Sequence, residues 1–369
     1  MTEDSQEIGV VPDTEAQPDE QVPLGVDMDG TLIRTDALVE ATAQFLKHRA
    51  YLAPKILYWL SKGRAWLKHR VAANGALDVT HLPYEESVLE LIDQAREDGR
   101  RIVLCTASNI HHARAVADHL ELFDEVMASD EKTNLSGENK RRALVDRFGE
   151  GGYDYVGNDA KDVPAFESAR KAIVVAPTRS LRRELPQLQK AELLVEAKDP
   201  TWRDYAKQLR LHQWLKNALL FVPLLASHRF NELSTVAASI TAFFAFGLCA
   251  SSVYVLNDLM DLPADRRHPR KKDRPFASAR IPVEHGVILI PALLLASFML
   301  AAFLPPAFIG VLALYYFGTL NYSLWAKNIA VLDTLVLAGL YTLRIIAGAA
   351  AISVVPSFWL LAFSMFIFL

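Results

Sequence analysis

The sequence predicts an α/β, doubly wound soluble domain with a small helical cap, followed by an all-α membrane domain of several spans. Three observations carry this. Residues 22–185 alternate short apolar runs with helix-period runs, the pattern of parallel strands joined by crossover helices. From about Ala218 long apolar runs dominate, several near the ~20 residues that cross a bilayer. The composition changes near residue 205, and 369 residues suffice for two or three domains. A hydrophobic fraction of 51% and a net charge of −4 average over both halves, so neither classifies the chain.

Taken in order, residues 1–21 are acidic and polar with no apolar core, which predicts a disordered leader and no signal peptide. "PLGVDMDGT" reads as a buried strand breaking into a Gly turn, and residues 37–80 as a helical cap whose Trp59 and Trp66 pack rather than line a pocket. "YEESVLELIDQAREDGR" reads as an amphipathic helix and "RIVLCTAS" as a strand. Helix, strand, helix and strand follow through "HHARAVADHLELF", "DEVMAS", "NKRRALVDRFG" and "YDYVGND", then "DVPAFESAR" and the strand "KAIVVAP". Asp27, Thr106 and Gly157 each close an apolar strand, and parallel sheets bind ligands at their carboxyl ends.

Residues 186–204, broken by Pro186 and Pro200, are expected to be a linker. The membrane half, 205–369, offers spans near 217–227, 234–256, 285–304, 305–325, 330–352 and an unfinished one from Val355 to Leu369. The first is short and is expected to borrow from the preceding "LRLHQWLKN". The loop after the second span holds Arg266, Arg267, Arg270, Lys271, Lys272, Arg274 and Arg280, whereas those after the first, third and fifth hold only Arg229. The basic loops are therefore expected on the cytoplasmic side, with the soluble half beside them at the inner membrane. The two cysteines, Cys105 and Cys249, lie in unlike halves and suggest no disulfide framework. No nucleic-acid partner is expected.

"DMDGT" ends a strand with two carboxylates one residue apart, a pairing that suits a nucleophile plus a general acid, with Mg2+ screening a phosphate. The motif resembles the first motif of the haloacid dehalogenase-like hydrolases. That resemblance implies that Asp27 is the nucleophile, Asp29 the acid/base, Thr106 the hydroxyl that holds phosphate and Lys140 the conserved cation. In "GNDAKD", Asn158 stands where the family usually has the first acid, so either Asp159 or Asp162 completes the metal shell.

At the end of the second span, Asp258, Asp261 and Asp265 fall at i, i+3 and i+7, one face of a continued helix. Carboxylates so placed repel unless a cation joins them, and hard oxygen ligands suit Mg2+. The bases behind them, Lys271 and Arg274, would grip the same phosphates. The order N-D-x-x-D-x-x-x-D-x-x-H-P-x-K-x-x-R-P resembles the first aspartate-rich motif of the UbiA superfamily of intramembrane prenyltransferases, and "LRLHQWLKNALLFVPLL" resembles the helix by which that family enters the membrane. The resemblance implies that Asn257, Asp258, Asp261 and Asp265 hold Mg2+ and a diphosphate, with Lys216, Asn217, Lys327 and Asp333 near the mouth. Arg344, deep in the fifth span, either pairs with an acid such as Asp333 or meets a ligand phosphate. Family members have nine spans and a second acidic motif, so the sequence is expected to be a fragment of a longer enzyme.

A metal-bound diphosphate is a leaving group from an allylic or an anomeric carbon. "HQWLKN", "LRIIAGA" and the fused hydrolase domain most resemble the branch that transfers phosphoribosyl from a phosphorylated donor to a polyprenyl phosphate. Prenyl transfer from a polyprenyl diphosphate to an aromatic acceptor, and a membrane-anchored phosphatase with a silent UbiA-like half, are the alternatives.

Overall fold

A computed structural model describes residues 22–74, 77–131, 133–188 and 190–369, so the leader predicted over 1–21 lies outside the described residues. Six strands, β1 (Leu24–Val26), β2 (Ile102–Asn109), β3 (Glu125–Ser129), β4 (Asp154–Gly157), β5 (Ala172–Val175) and β6 (Ala191–Val195), form one sheet in the order β3-β2-β1-β4-β5-β6. Every pairing is parallel. One expectation changes here. The segment read as a linker contains β6, whose short "AELLV" run pairs with β5. The neighbouring prolines masked a strand that only its partner edge makes favourable.

The cap is a trio, α1 (Ala37–His48), α2 (Ala53–Ser61) and α3 (Arg64–Asn74), closed over Phe45, Trp59, Leu67 and Val71. Five helices flank the sheet: α4 (Glu86–Glu97), α5 (Ile110–Leu120), α6 (Glu138–Phe148), α7 (Val163–Ser168) and α8 (Arg179–Glu184). Strand side chains alternate between two cores. Leu104 and Val156 pack with α4 and α5 through Val88, Ile92 and Val116. Cys105 and Tyr155 pack with α6, α7 and α8 through Leu144, Phe166 and Leu181. Central strands buried on both faces explain the near-continuous apolar runs. The order of strands reverses at β1, so Asp27 emerges into the crevice at the switch point.

The membrane half begins with α9 (Trp202–Gln208), a 3-10 helix over Leu211–Phe221 and α10 (Val222–Ala226). Then come α11 (Leu233–Met260), α12 (Leu262–Arg267), α13 (Val283–Ala301), α14 (Pro306–Leu324), α15 (Leu332–Ala351) and α16 (Phe358–Phe368). Helices α11, α13, α14 and α15 are long and apolar enough to cross a membrane. The first expected span takes a different form. Eleven residues of 3-10 helix and five of α-helix run from Arg210, beside Asp258, to the Arg229 end, whose guanidinium reaches the Ile352 carbonyl at 3.3 Å. At ~2.0 and ~1.5 Å of rise per residue this short stretch covers about 30 Å, the thickness of a hydrocarbon core.

The halves touch. Val39 and Ala43 of α1 join Val255, Leu259, Leu262, Phe276, Ile281 and Val283 in one apolar cluster. The basic loop after α11 and the soluble domain therefore share one face of the membrane domain.

Candidate functional site

Two clusters of buried charge lie at opposite ends of α1. The first sits at the carboxyl end of β1. Lys140, from the first turn of α6, places Nζ 3.0 Å from Asp27 Oδ1, 2.7 Å from Asp162 Oδ1 and 2.7 Å from the Tyr155 hydroxyl. Burial works against its ammonium, but Asp162 and Asp27 outweigh that and hold the amine above its usual range. Burial also pushes the Asp27 carboxyl up to about 6, against the lowering pull of Lys140. Asp29 accepts from the Ala37 N–H at 2.9 Å and from the Ser108 hydroxyl. Burial, reinforced by Asp36, pushes it up to about 8 against those two bonds. Two carboxylates one residue apart are thus set apart in acidity, the arrangement that assigns nucleophile and acid to neighbours.

Asp159 and Asp162, the two acids left open for the metal shell, stand in different surroundings. Asp162 is buried, accepts from the Asn158 and Asp159 N–H groups and meets Lys140. Asp159 instead caps the next turn through the Lys161 N–H. Thr106 is buried in β2 and accepts from the Ser108 N–H at 3.0 Å. The strand expected to end at Thr106 runs on to Asn109 through an irregular register, and that kink carries Ser108 to Asp29. Gly30, at φ +77°, is required because a Cβ there would collide with the Asn158 side chain lying over the turn.

The second cluster sits at the end of α11. Asp258 and Asp265, both buried, share the Arg274 guanidinium through Nη1 at 3.1 and 2.6 Å. Asp258 also accepts from Arg210 and, at 2.8 Å, from Gln208 Nε2. Asp261 does not join them: α11 stops at Met260, Asp261 caps it, and its carboxylate meets Lys47 at 2.7 Å and Lys327 at 3.7 Å. The expected trio is therefore a pair plus one, and among the described residues no three His, Cys, Asp or Glu side chains form a ready metal-ligand set. The oxygens still suit a hard cation. Asp258 and Asp265 converge on a single positive group, and Gln208 Oε1 and Asn257 Oδ1 are buried acceptors without a partner. Asn257 is held by its other end, donating to Ser323 at 2.9 Å.

A relative in Sinorhizobium fredii, the uncharacterized protein y4nM, is 36% identical over 354 residues, which cover 95% of this chain and 68% of the relative. The UbiA prenyltransferase family model matches residues 218–369, and the haloacid dehalogenase-like hydrolase model matches 24–167. The chain belongs to the UbiA prenyltransferase family and carries a haloacid dehalogenase-like hydrolase domain. Nodulation protein NoeC of Azorhizobium caulinodans is 40% identical over 160 residues, 43% of the chain and 52% of NoeC. The decaprenyl-phosphate phosphoribosyltransferase of Mycolicibacterium smegmatis is 35% identical over 159 residues, 42% of the chain and 50% of that enzyme. The chain thus spans about half the length of these last two relatives.

Lys216 and Asn217, expected near the mouth in the UbiA half, make their contacts with α15 instead. Asn217 Oδ1 accepts from Arg344 Nε at 3.1 Å, and Lys216 lies 5.8 Å from the Tyr341 ring. Arg344 has no carboxylate partner among the described residues. Its guanidinium is satisfied by Asn217, the Leu340 carbonyl and the Tyr315 hydroxyl, among the rings of Phe246, Tyr315 and Tyr341. Asp333 accepts instead from Tyr322 at 2.7 Å. Lys271 lies exposed in the basic loop, its backbone N–H on His268.

Sequence reasoning missed Gln208, Arg210, Ser108, Lys68 and Lys47. Lys68, from the cap, donates to the Ala107 carbonyl at 2.7 Å beside Asp29, and burial lowers its ammonium. Arg210 carried a faint signal as a cation just before the first span. The others carried none, since each meets its partner across a long chain separation.

Proposed function

We propose that the UbiA-like half moves a phosphoribosyl group from phosphoribosyl diphosphate to a polyprenyl phosphate, dependent on Mg2+, and that the hydrolase domain removes the 5-phosphate of the product. The observation that carries this is the convergence of Asp258, Asp265, Arg274 and the unpartnered Gln208 and Asn257 oxygens at one end of the apolar helices. The similarity of this half to decaprenyl-phosphate phosphoribosyltransferases supports the choice of donor.

In this reading Asp258, Asp261, Asp265 and Asn257 would hold the metal and Arg274, Lys271 and Lys327 would grip the donor phosphates, while Arg344, Asn217 and Lys216 would brace the helices behind them. Mg2+ held there would supply positive charge to offset the negative charge gathering on the leaving diphosphate. The anomeric C–O bond to diphosphate breaks, and a lipid phosphate oxygen forms the new bond. In the hydrolase domain Asp27 attacks phosphorus, the ester P–O bond breaks, and Asp29 gives its proton to the departing oxygen. Water then cleaves the aspartyl phosphate, and Asp29 takes back the proton. Asp27, Asp29 and Asp162 would hold a second Mg2+, with Asp159 at its edge, and Thr106 and Lys140 would hold the phosphate. The basic loop after α11 favours a cytoplasmic soluble domain at the inner membrane.

The test incubates the complete protein with polyprenyl phosphate and phosphoribosyl diphosphate and reads lipid-linked ribose by mass spectrometry. Wild type is expected to give the dephosphorylated product, Asp27→Asn the 5-phosphorylated one, and Asp261→Asn neither. No ribosylated lipid, with activity on a prenyl diphosphate and an aromatic acid, would replace this reading by prenyl transfer. Phosphatase turnover alone would leave a membrane-anchored phosphatase.

A further inference from the structure

We propose that Lys47, carried by the hydrolase domain's helix α1, is a phosphate-gripping residue of the acidic mouth on the membrane domain. The inference rests on the reading of that mouth as a diphosphate site and adds to it a residue from the other domain.

The same face of α1 carries Glu40, Gln44 and Lys47 at i, i+4 and i+7. Glu40 takes a two-pronged bond from Arg266 at 2.9 and 2.6 Å, with both side chains nearly inaccessible, and also accepts from Thr35. Gln44 donates to the Met260 carbonyl at 3.0 Å, at the C-terminal end of α11. With the apolar contact of Val39 and Ala43, these bonds lock α1 to the membrane domain. Lys47 stands apart from that lock. Its ammonium and the Asp261 carboxylate it meets are half-buried, at 30% and 28% accessible, and such a pair contributes less to docking than the buried Glu40–Arg266 pair. Its place is instead beside Asp261, which also meets Lys327 at 3.7 Å.

An ammonium has three donors, of which Asp261 uses one here, so two remain for phosphate oxygens. The demand for them is real. A diphosphate donor adds several negative charges to a mouth that already holds Asp258, Asp261 and Asp265. A divalent ion with Arg210, Arg274 and Lys327 offsets part of that charge, and Lys47 supplies a further cation on the side that faces the soluble domain.

Binding of magnesium pyrophosphate to the complete protein, followed by titration calorimetry, tests this without requiring turnover. Lys47→Gln is expected to weaken binding about tenfold, the loss of roughly one charge-assisted hydrogen bond. Lys47→Arg is expected to stay within about threefold of wild type, and neither variant to shift the melting temperature, because the lock does not involve this residue. Asp261→Asn tests the mouth itself. If Asp261→Asn weakens binding and Lys47→Gln does not, Lys47 is only a surface ion pair and the proposal is overturned. If Asp261→Asn binds as wild type does, the mouth is not the diphosphate site and the underlying reading fails as well.

Discussion

Asp27 and Asp29 are separated by one residue and share a crevice, yet their surroundings give them different chemistry. Lys140 stands against Asp27 and favours its anion, whereas Asp29 faces Asp36 and, among the described residues, accepts from neutral donors, Ser108 and the Ala37 N–H. Asp29 serves as an acid while it keeps its proton, so turnover is expected to fall as pH rises through about 8. The Ser108 hydroxyl favours the anion. Its removal in Ser108→Ala should therefore move that alkaline limb upward, which a profile of phosphatase kcat against pH would read. A limb that stays in place would remove Ser108 from the account. The Asp29–Ser108 contact also shows what a motif leaves out: the carboxylate is legible in "DMDGT", but its partner arrives on a kinked strand 79 residues away.

At the scale of elements, the 3-10 stretch that opens the membrane domain packs by close approach of backbones. The 3-10 stretch over Leu211–Phe221 lies against the small-residue face of α15, where Ala347, Gly348 and Ala351 are buried. A Cβ at Gly348 would run into the Leu220 carbonyl oxygen, and one at Gly247 would meet the Trp214 ring. The first contact is with backbone and cannot yield by a side-chain rotation; the second is with a side chain. Gly348→Ala is therefore expected to cost about 1–3 kcal/mol, the usual range for overpacking. It should also displace Asn217 from Arg344, since Asn217 lies one turn away on the same stretch. A thermal melt in detergent measures the first effect. A melting temperature equal to wild type would mean that this stretch is looser than its contacts indicate.

Across the whole molecule, the buried Glu40–Arg266 pair and the apolar cluster of Val39 and Ala43 are among the contacts that join the two domains. Glu40 and Arg266 are 226 residues apart and nearly inaccessible. Removing only one partner leaves a buried charge uncompensated, at a cost of about 3–5 kcal/mol. Glu40→Ala is accordingly expected to split unfolding into separate soluble and membrane transitions in calorimetry, and Glu40→Met with Arg266→Met to restore much of the coupling. A single unchanged transition in Glu40→Ala would show that the apolar contact of Val39 and Ala43 suffices.

The amino-acid pattern by itself determined the two halves, the parallel α/β sheet, the apolar spans and the acids at strand and helix ends. Those features are local: a period of two or 3.6, a run long enough for a bilayer, a carboxylate beside a glycine turn. The pattern hid β6, whose pairing depends on the edge of β5, and the 3-10 winding of Leu211–Phe221, which packs closely on Gly348 and Gly247. It placed Asp258, Asp261 and Asp265 on one helix face, but only the tertiary structure sent Asp261 toward Lys47 and Lys327 and drew Asp258 and Asp265 onto Arg274. Where a charge finds its counter-charge is decided by chain segments far apart in sequence, and spacing along one helix carries no information about them.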